Sequence, residues 1–178
     1  TNAIAHLSKA VAAVTDWQPP IDVNDTTAAY FSRLAAISPP DQARRYRAVL
    51  GGNAQEVTEA DLWPRQNEPR HASMLRTSVS PNMIQGGYHQ NVIPSDATVT
   101  LDVRMLPDEN PEQFIEALRR VINDPDIDIK IVEFDGKPRP LGVTRIDTEG
   151  FAAIQTAVAQ NYDTVVVPTM ANGASDNA

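Results

Sequence analysis

The stretch Thr98-Val99-Thr100-Leu101-Asp102-Val103-Arg104-Met105, with the Asn110-Pro111 pair that follows it, decides the fold. Val99, Leu101, Val103 and Met105 alternate with Thr98, Thr100, Asp102 and Arg104, the period of two shown by a strand with one buried face. Asn110 ahead of Pro111 is a helix start: a side chain that can cap, then a ring whose fixed φ suits the first helical position. The helix it opens carries Phe114, Ile115, Leu118, Val121 and Ile122 on one stripe. Beyond it, Ile127, Ile129 and Ile131 alternate with Asp128 and Lys130 and predict a further strand. Upstream, Leu75, Thr77 and Val79 alternate with Arg76, Ser78 and Ser80, a strand that Pro81 is expected to interrupt and Gly86-Gly87 to bend. At the start, Ile4, Leu7, Val11 and Val14 predict an amphipathic helix, capped by Thr1 or Asn2. The order is helix, strand, strand, helix, strand. One strand ahead of Thr1 would complete β-α-β-β-α-β, so the expected class is α+β, a split-βαβ, ferredoxin-like domain over residues 1–134.

Two regions fall outside that plan. Residues 18–73 are broken by Pro19-Pro20, Pro39-Pro40, Gly51-Gly52 and Pro64 into short helical pieces, read as a helical insertion. Residues 135–140 read as a turn-rich linker. In 141–178, Asp147 or Thr148 can cap a helix bearing Phe151, Ile154 and Val158, and Val165-Val166-Val167 reads as a buried strand. A helix leading into a short apolar strand is the grammar of a parallel α/β sheet, so 141–178 is expected to be a fragment of a second, α/β domain. The chain as a whole is expected to be an excerpt of a longer protein.

Composition removes several function classes. Fifteen Lys and Arg against 23 Asp and Glu give a net charge of −8, which argues against a nucleic-acid surface. No apolar run approaches the roughly 20 residues of a membrane-crossing helix. The absence of cysteine excludes disulfides and thiolate metal sites. The histidines are His6, His71 and His89, without a His-Glu-x-x-His pattern, and no zinc or other metal site is expected from this chain's own residues. Asp124-Pro125-Asp126-Ile127-Asp128 imitates the start of a calcium loop but lacks its sixth-position Gly and twelfth-position Glu. Gly173-Ala174-Ser175-Asp176-Asn177 half resembles a nucleophile elbow but ends in Asn where Gly is needed.

What remains is Gly86-Gly87-Tyr88-His89-Gln90-Asn91-Val92-Ile93-Pro94 and the strand ending at Arg104. Arg104 shares a strand face with Asp102, and a surface ion pair is the simplest account of it. The alternative is that Asn91 and Arg104 converge on a ligand carboxylate, for which an amide donor and a guanidinium fork are well suited. His89 is close enough to Asn91 to line the same pocket.

Gly87…Asn91-Val92-Ile93-Pro94…Val99-Thr100-Leu101-Asp102-Val103-Arg104 resembles the signature of the lid, or dimerisation, domain of co-catalytic zinc peptidases and deacylases. That family includes acetylornithine deacetylase, succinyl-diaminopimelate desuccinylase, aminoacylase and the zinc carboxypeptidases. Pro168…Gly173-Ala174-Ser175-Asp176 is similar to the family's loop on the returning catalytic domain. The resemblance implies a parent enzyme with two zinc ions that cleaves an amide next to a free carboxylate, in a peptide or an N-acyl amino acid, and that forms a homodimer. It implies substrate-binding roles for Asn91, Arg104, Gly173, Ser175 and Asp176. The family's metal ligands and catalytic Glu have no counterparts here, so the 178 residues alone are expected to be inactive. A non-catalytic α+β ligand-binding or dimerisation module is the competing expectation.

Overall fold

The computed structural model describes residues 2–52, 54–132 and 145–171. Its elements are α1 (Ala3–Asp16), α2 (Asp25–Ile37), α3 (Pro40–Gly51), α4 (Ala54–Asn67), α5 (Pro69–Leu75), β1 (Ser78–Gly86), β2 (Ala97–Arg104), α6 (Pro111–Ile122) and α7 (Glu149–Asn161). They gather into two compact units, one holding α1, β1, β2 and α6 and the other α2 to α5 with α7.

In the first unit β1 and β2 pair antiparallel, from Ser78 opposite Arg104 to Gly86 opposite Ala97. Helix α1 packs on both strands and on α6. The apolar stripes meet there: Leu7, Ala10 and Val14 of α1 and Phe114 and Leu118 of α6 are buried, and the Trp17 and Phe114 rings lie 5.5 Å apart. Both helix starts are built as their sequences require. Asn2 accepts from the Ile4 amide at 3.1 Å, and Asn110 accepts from the Gln113 amide at 3.0 Å with Pro111 at the first position. The fold is α+β, and the described residues contain the central hairpin of the split-βαβ plan with its two helices.

Three strand expectations are corrected. The upstream strand starts at Ser78, because Leu75 is the buried last residue of α5. Pro81 does not interrupt it: a register shift between Pro81 and Met83 absorbs the ring and its missing donor, as a bulge on a strand with a free edge can. The strand expected over Ile127–Ile131 pairs with no strand among the described residues. Ile127 and Ile129 are half-buried beside exposed Asp128 and Lys130, but Ile131 is 67% exposed, and the segment makes no ladder hydrogen bonds among the described residues.

The second unit is helical. Phe31, Ala35, Ala43, Tyr46, Val49, Ala60 and Leu75 form its core. Asn24 caps α2 through the Thr27 amide at 3.0 Å, and Thr148 caps α7 through the Phe151 amide at 3.2 Å. Pro64 lies inside α4 rather than ending it. Arg45, on the preceding helix, sits 4.3 Å from the centre of the Trp63 ring beside it. Val165–Val167 pairs with no strand among the described residues, and Arg33 donates to the Val166 carbonyl at 2.8 Å instead. Val165 is 45% exposed and Val166 and Val167 are half-buried, so the expected buried strand is corrected on burial as well as on pairing.

Candidate functional site

The loop between β1 and β2 builds a hollow of about 770 Å³, lined by Gly86 to Pro94 with Asn2 and Ile4 of the α1 start. Two glycines shape its mouth. At Gly86 a Cβ would stand 2.9 Å from the Cβ of Ala97, its partner across the hairpin, and 3.1 Å from Ile4 Cγ1, so a glycine there lets the loop base close against both. Gly87 has φ +75°, which turns the chain out of the strand at no steric cost. The Ala3 amide donates to the Pro94 carbonyl at 3.3 Å and ties the far side of the loop to the helix.

Within the loop the Val92 amide donates to the His89 carbonyl at 3.3 Å, folding 89–92 into a turn. That turn sets the His89 ring against Asn91, with Nδ1 2.5 Å from Oδ1. Both side chains are exposed, as is Tyr88, which is 82% accessible. The hollow therefore offers an amide, an imidazole and apolar walls, and no carboxylate among its lining residues.

Arg104 is elsewhere. It sits at the Ser78 end of the hairpin, while the loop leaves from the Gly86 end. Seven residue steps of about 3.4 Å put roughly 24 Å of strand between Arg104 and the loop base. Its Nε and Nη2 both donate to Asp102 Oδ2, at 3.0 and 2.9 Å. The expected convergence of Asn91 and Arg104 on one carboxylate is therefore corrected as far as a single chain is concerned, since the strand holds them apart. Gly173, Ser175 and Asp176 lie outside the described residues.

Two polar clusters escaped the sequence. His6 Nδ1 lies 2.6 Å from Asp124 Oδ2, and Asp124 Oδ1 accepts from the Asp126 amide at 3.0 Å. The hydrogen bond from His6 holds the Asp124 carboxyl below the usual carboxylate range. His6, Asp124 and Asp126 bring one candidate ligand atom each within 4.8 Å of the others. One imidazole and two carboxylates cannot supply two zinc ions, each needing three or four ligands, and the imidazole already has a carboxylate partner. Among the described residues nothing fits a dinuclear centre. The pair is separated by 118 positions, so no spacing rule could have found it.

The second cluster lies in the helical unit. His71 Nδ1 donates to Glu68 at 2.7 Å, and Nε2 accepts from the Tyr30 hydroxyl at 2.8 Å. Tyr46 donates to the same Glu68 carboxylate at 3.1 Å. Burial, then the hydrogen bond to Glu68, pushes the Tyr46 phenol up to about 12, and burial also raises Tyr30. Raised phenols stay protonated and donate, so this network ties helices together rather than supplying a nucleophile.

Residues 1–130 match the family model of the M20 peptidase dimerisation domain. The chain belongs to the M20 peptidase family. Over 104 residues it is 29% identical to the probable carboxypeptidase S-like 2 of Dictyostelium discoideum, a stretch covering 58% of this chain and 20% of that relative. The chain thus corresponds to about one-fifth of that relative's length. No solved structure matches. In M20 terms, the hairpin, its loop and the two helices are dimerisation-domain elements, and the hollow belongs to that domain.

Proposed function

We propose that this chain is the lid and dimerisation part, residues 1–134 with a helical insertion at 18–73, of a dinuclear zinc amidohydrolase whose α/β catalytic domain includes residues 141–178. The parent enzyme cleaves an amide next to a free carboxylate, in the C-terminal residue of a peptide or in an N-acyl amino acid, and works as a homodimer. The observation that carries the reading is the M20 dimerisation-domain match together with a glycine-shaped loop that presents Asn91 in a hollow. The carboxypeptidase S-like name of the Dictyostelium relative supports the substrate class. The metals belong to residues beyond this chain. The role of the 178 residues is to bind and orient: Asn91 donates to a substrate oxygen, and Arg104 holds a carboxylate contributed to a site in the partner protomer. Gly173, Ser175 and Asp176 are assigned to the substrate side of the catalytic domain.

Arg104 provides the test. Losing a charge-assisted hydrogen bond costs roughly 1.5–3 kcal/mol, and about 1.4 kcal/mol is a factor of ten. In the full-length enzyme Arg104→Ala should lower kcat/KM by about 10- to 100-fold on a substrate with a free carboxylate. The matching carboxamide should be affected far less, and Arg104→Lys should recover only part of the loss, since an ammonium lacks the bidentate fork. Equal losses on acid and amide would defeat the assignment and leave Arg104 as Asp102's ion-pair partner alone.

A further inference from the structure

An asparagine amide is nearly symmetric in shape but opposite in polarity at its two ends, and a free Asn91 could offer a ligand either one. In this loop the choice is made. His89 Nδ1 lies 2.5 Å from Asn91 Oδ1, across a turn closed by the Val92 amide on the His89 carbonyl. An amide oxygen only accepts, so the imidazole nitrogen facing it carries the proton and donates. The His89 proton thus fixes which end of the amide is which: Oδ1 keeps one lone pair, and the donors Asn91 has to present are those of its NH₂.

We infer that His89 is a positioning residue for Asn91, fixing the amide so that its two N–H groups face the hollow and select a ligand with an oxygen acceptor there, a carboxylate or an amide carbonyl. This rests on the substrate-binding role proposed for Asn91 and deepens it: His89 touches Asn91, not the substrate.

The test is a double-mutant cycle in the full-length enzyme on an N-acyl amino acid, with melting temperatures recorded for each variant. Asn91→Ala should raise KM. His89→Ala should raise KM about three- to tenfold while changing kcat less, the size of one neutral hydrogen bond lost from the orienting pair. His89→Gln, which keeps a side-chain N–H donor, should recover part of that rise. The double variant should be no worse than Asn91→Ala alone, because without Asn91 there is nothing for His89 to orient. A merely structural role for His89 would lower the melting temperature and show neither the rescue nor the non-additivity. If Asn91→Ala raises KM while His89→Ala leaves it unchanged, or the two effects add, the positioning role is overturned and the proposed function stands. If Asn91→Ala leaves KM unchanged, both fall.

Discussion

Tyr46 shows what a single buried hydroxyl can impose on the pH response of the helical unit. Its phenol is 5% exposed and donates to Glu68, and ionising it in place would set a phenolate beside a carboxylate without water to screen them. The folded phenol is therefore held up to about 12, against about 10 in an unfolded chain. Between those values the unfolded state loses its proton and the folded state keeps it, so stability falls as pH rises. Below pH 10 the phenol is neutral in both states and contributes no slope. A two-unit gap corresponds to on the order of 3 kcal/mol, spread between pH 10 and 12. Urea midpoints measured from pH 9 to 12 should decline over that interval, and Tyr46→Phe should flatten the decline while lowering the midpoint at pH 9 through the lost bond to Glu68. An equal slope in both proteins would show that Tyr46 is not the group responsible. No reading of the sequence could have foreseen this, because Tyr30, Tyr46, Glu68 and His71 meet only after three helices have packed.

At the level of elements, the hairpin and its loop mark where sequence reasoning succeeds and where it stops. Local rules were sufficient for β2, α1 and α6: period-two alternation, asparagine caps and a proline at the first helical position depend on neighbours a few residues away. They were insufficient for Pro81, whose tolerance depends on β1 having a free edge among the described residues, and for Val165–Val167, where no strand lies alongside among the described residues. Of the candidate site, the grouping of Asn91 and His89 was legible, and both residues line the hollow. The hollow's distance from Arg104 was not legible, because adjacency along a signature says nothing about which end of a strand each residue occupies. The glycines that set the loop's path make a direct prediction. At Gly87 a Cβ would find only ordinary contact, 3.4 Å from Ile4 Cδ1, so the cost of Gly87→Ala is conformational, about 1–2 kcal/mol for a left-handed alanine. That should lower the melting temperature by several degrees. Gly51→Ala, at the end of α3 with open space around its Cβ, should instead be neutral or stabilising by up to about 1 kcal/mol. Thermal melts of the two variants side by side check this, and a Gly87→Ala protein as stable as the wild type would remove the strain argument.

On the scale of the whole molecule, the separation of Asn91 and Arg104 becomes a statement about assembly. A strand of this length cannot bend to bring both to one substrate, yet a two-fold dimer places one copy's residues against the other's surface and repeats the arrangement twice. If one active site draws Asn91 from one protomer and Arg104 from its partner, the two defects can be separated between chains. Asn91→Ala and Arg104→Ala homodimers each lack one member of every pair. In a mixed dimer one site carries both defects and the other carries none. Random pairing makes half of the dimers mixed, so about a quarter of all sites regain both residues, and an equal mixture of the two impaired proteins, assayed well below the KM of the wild type, should recover about a quarter of the wild-type rate above their own residual activity. Recovery should appear on the timescale of subunit exchange and should fail when the two proteins are crosslinked as homodimers before mixing. If instead each chain supplied both residues to its own site, every site would carry one defect and mixing would restore nothing. Absence of recovery under demonstrated exchange would therefore reject a site shared between protomers.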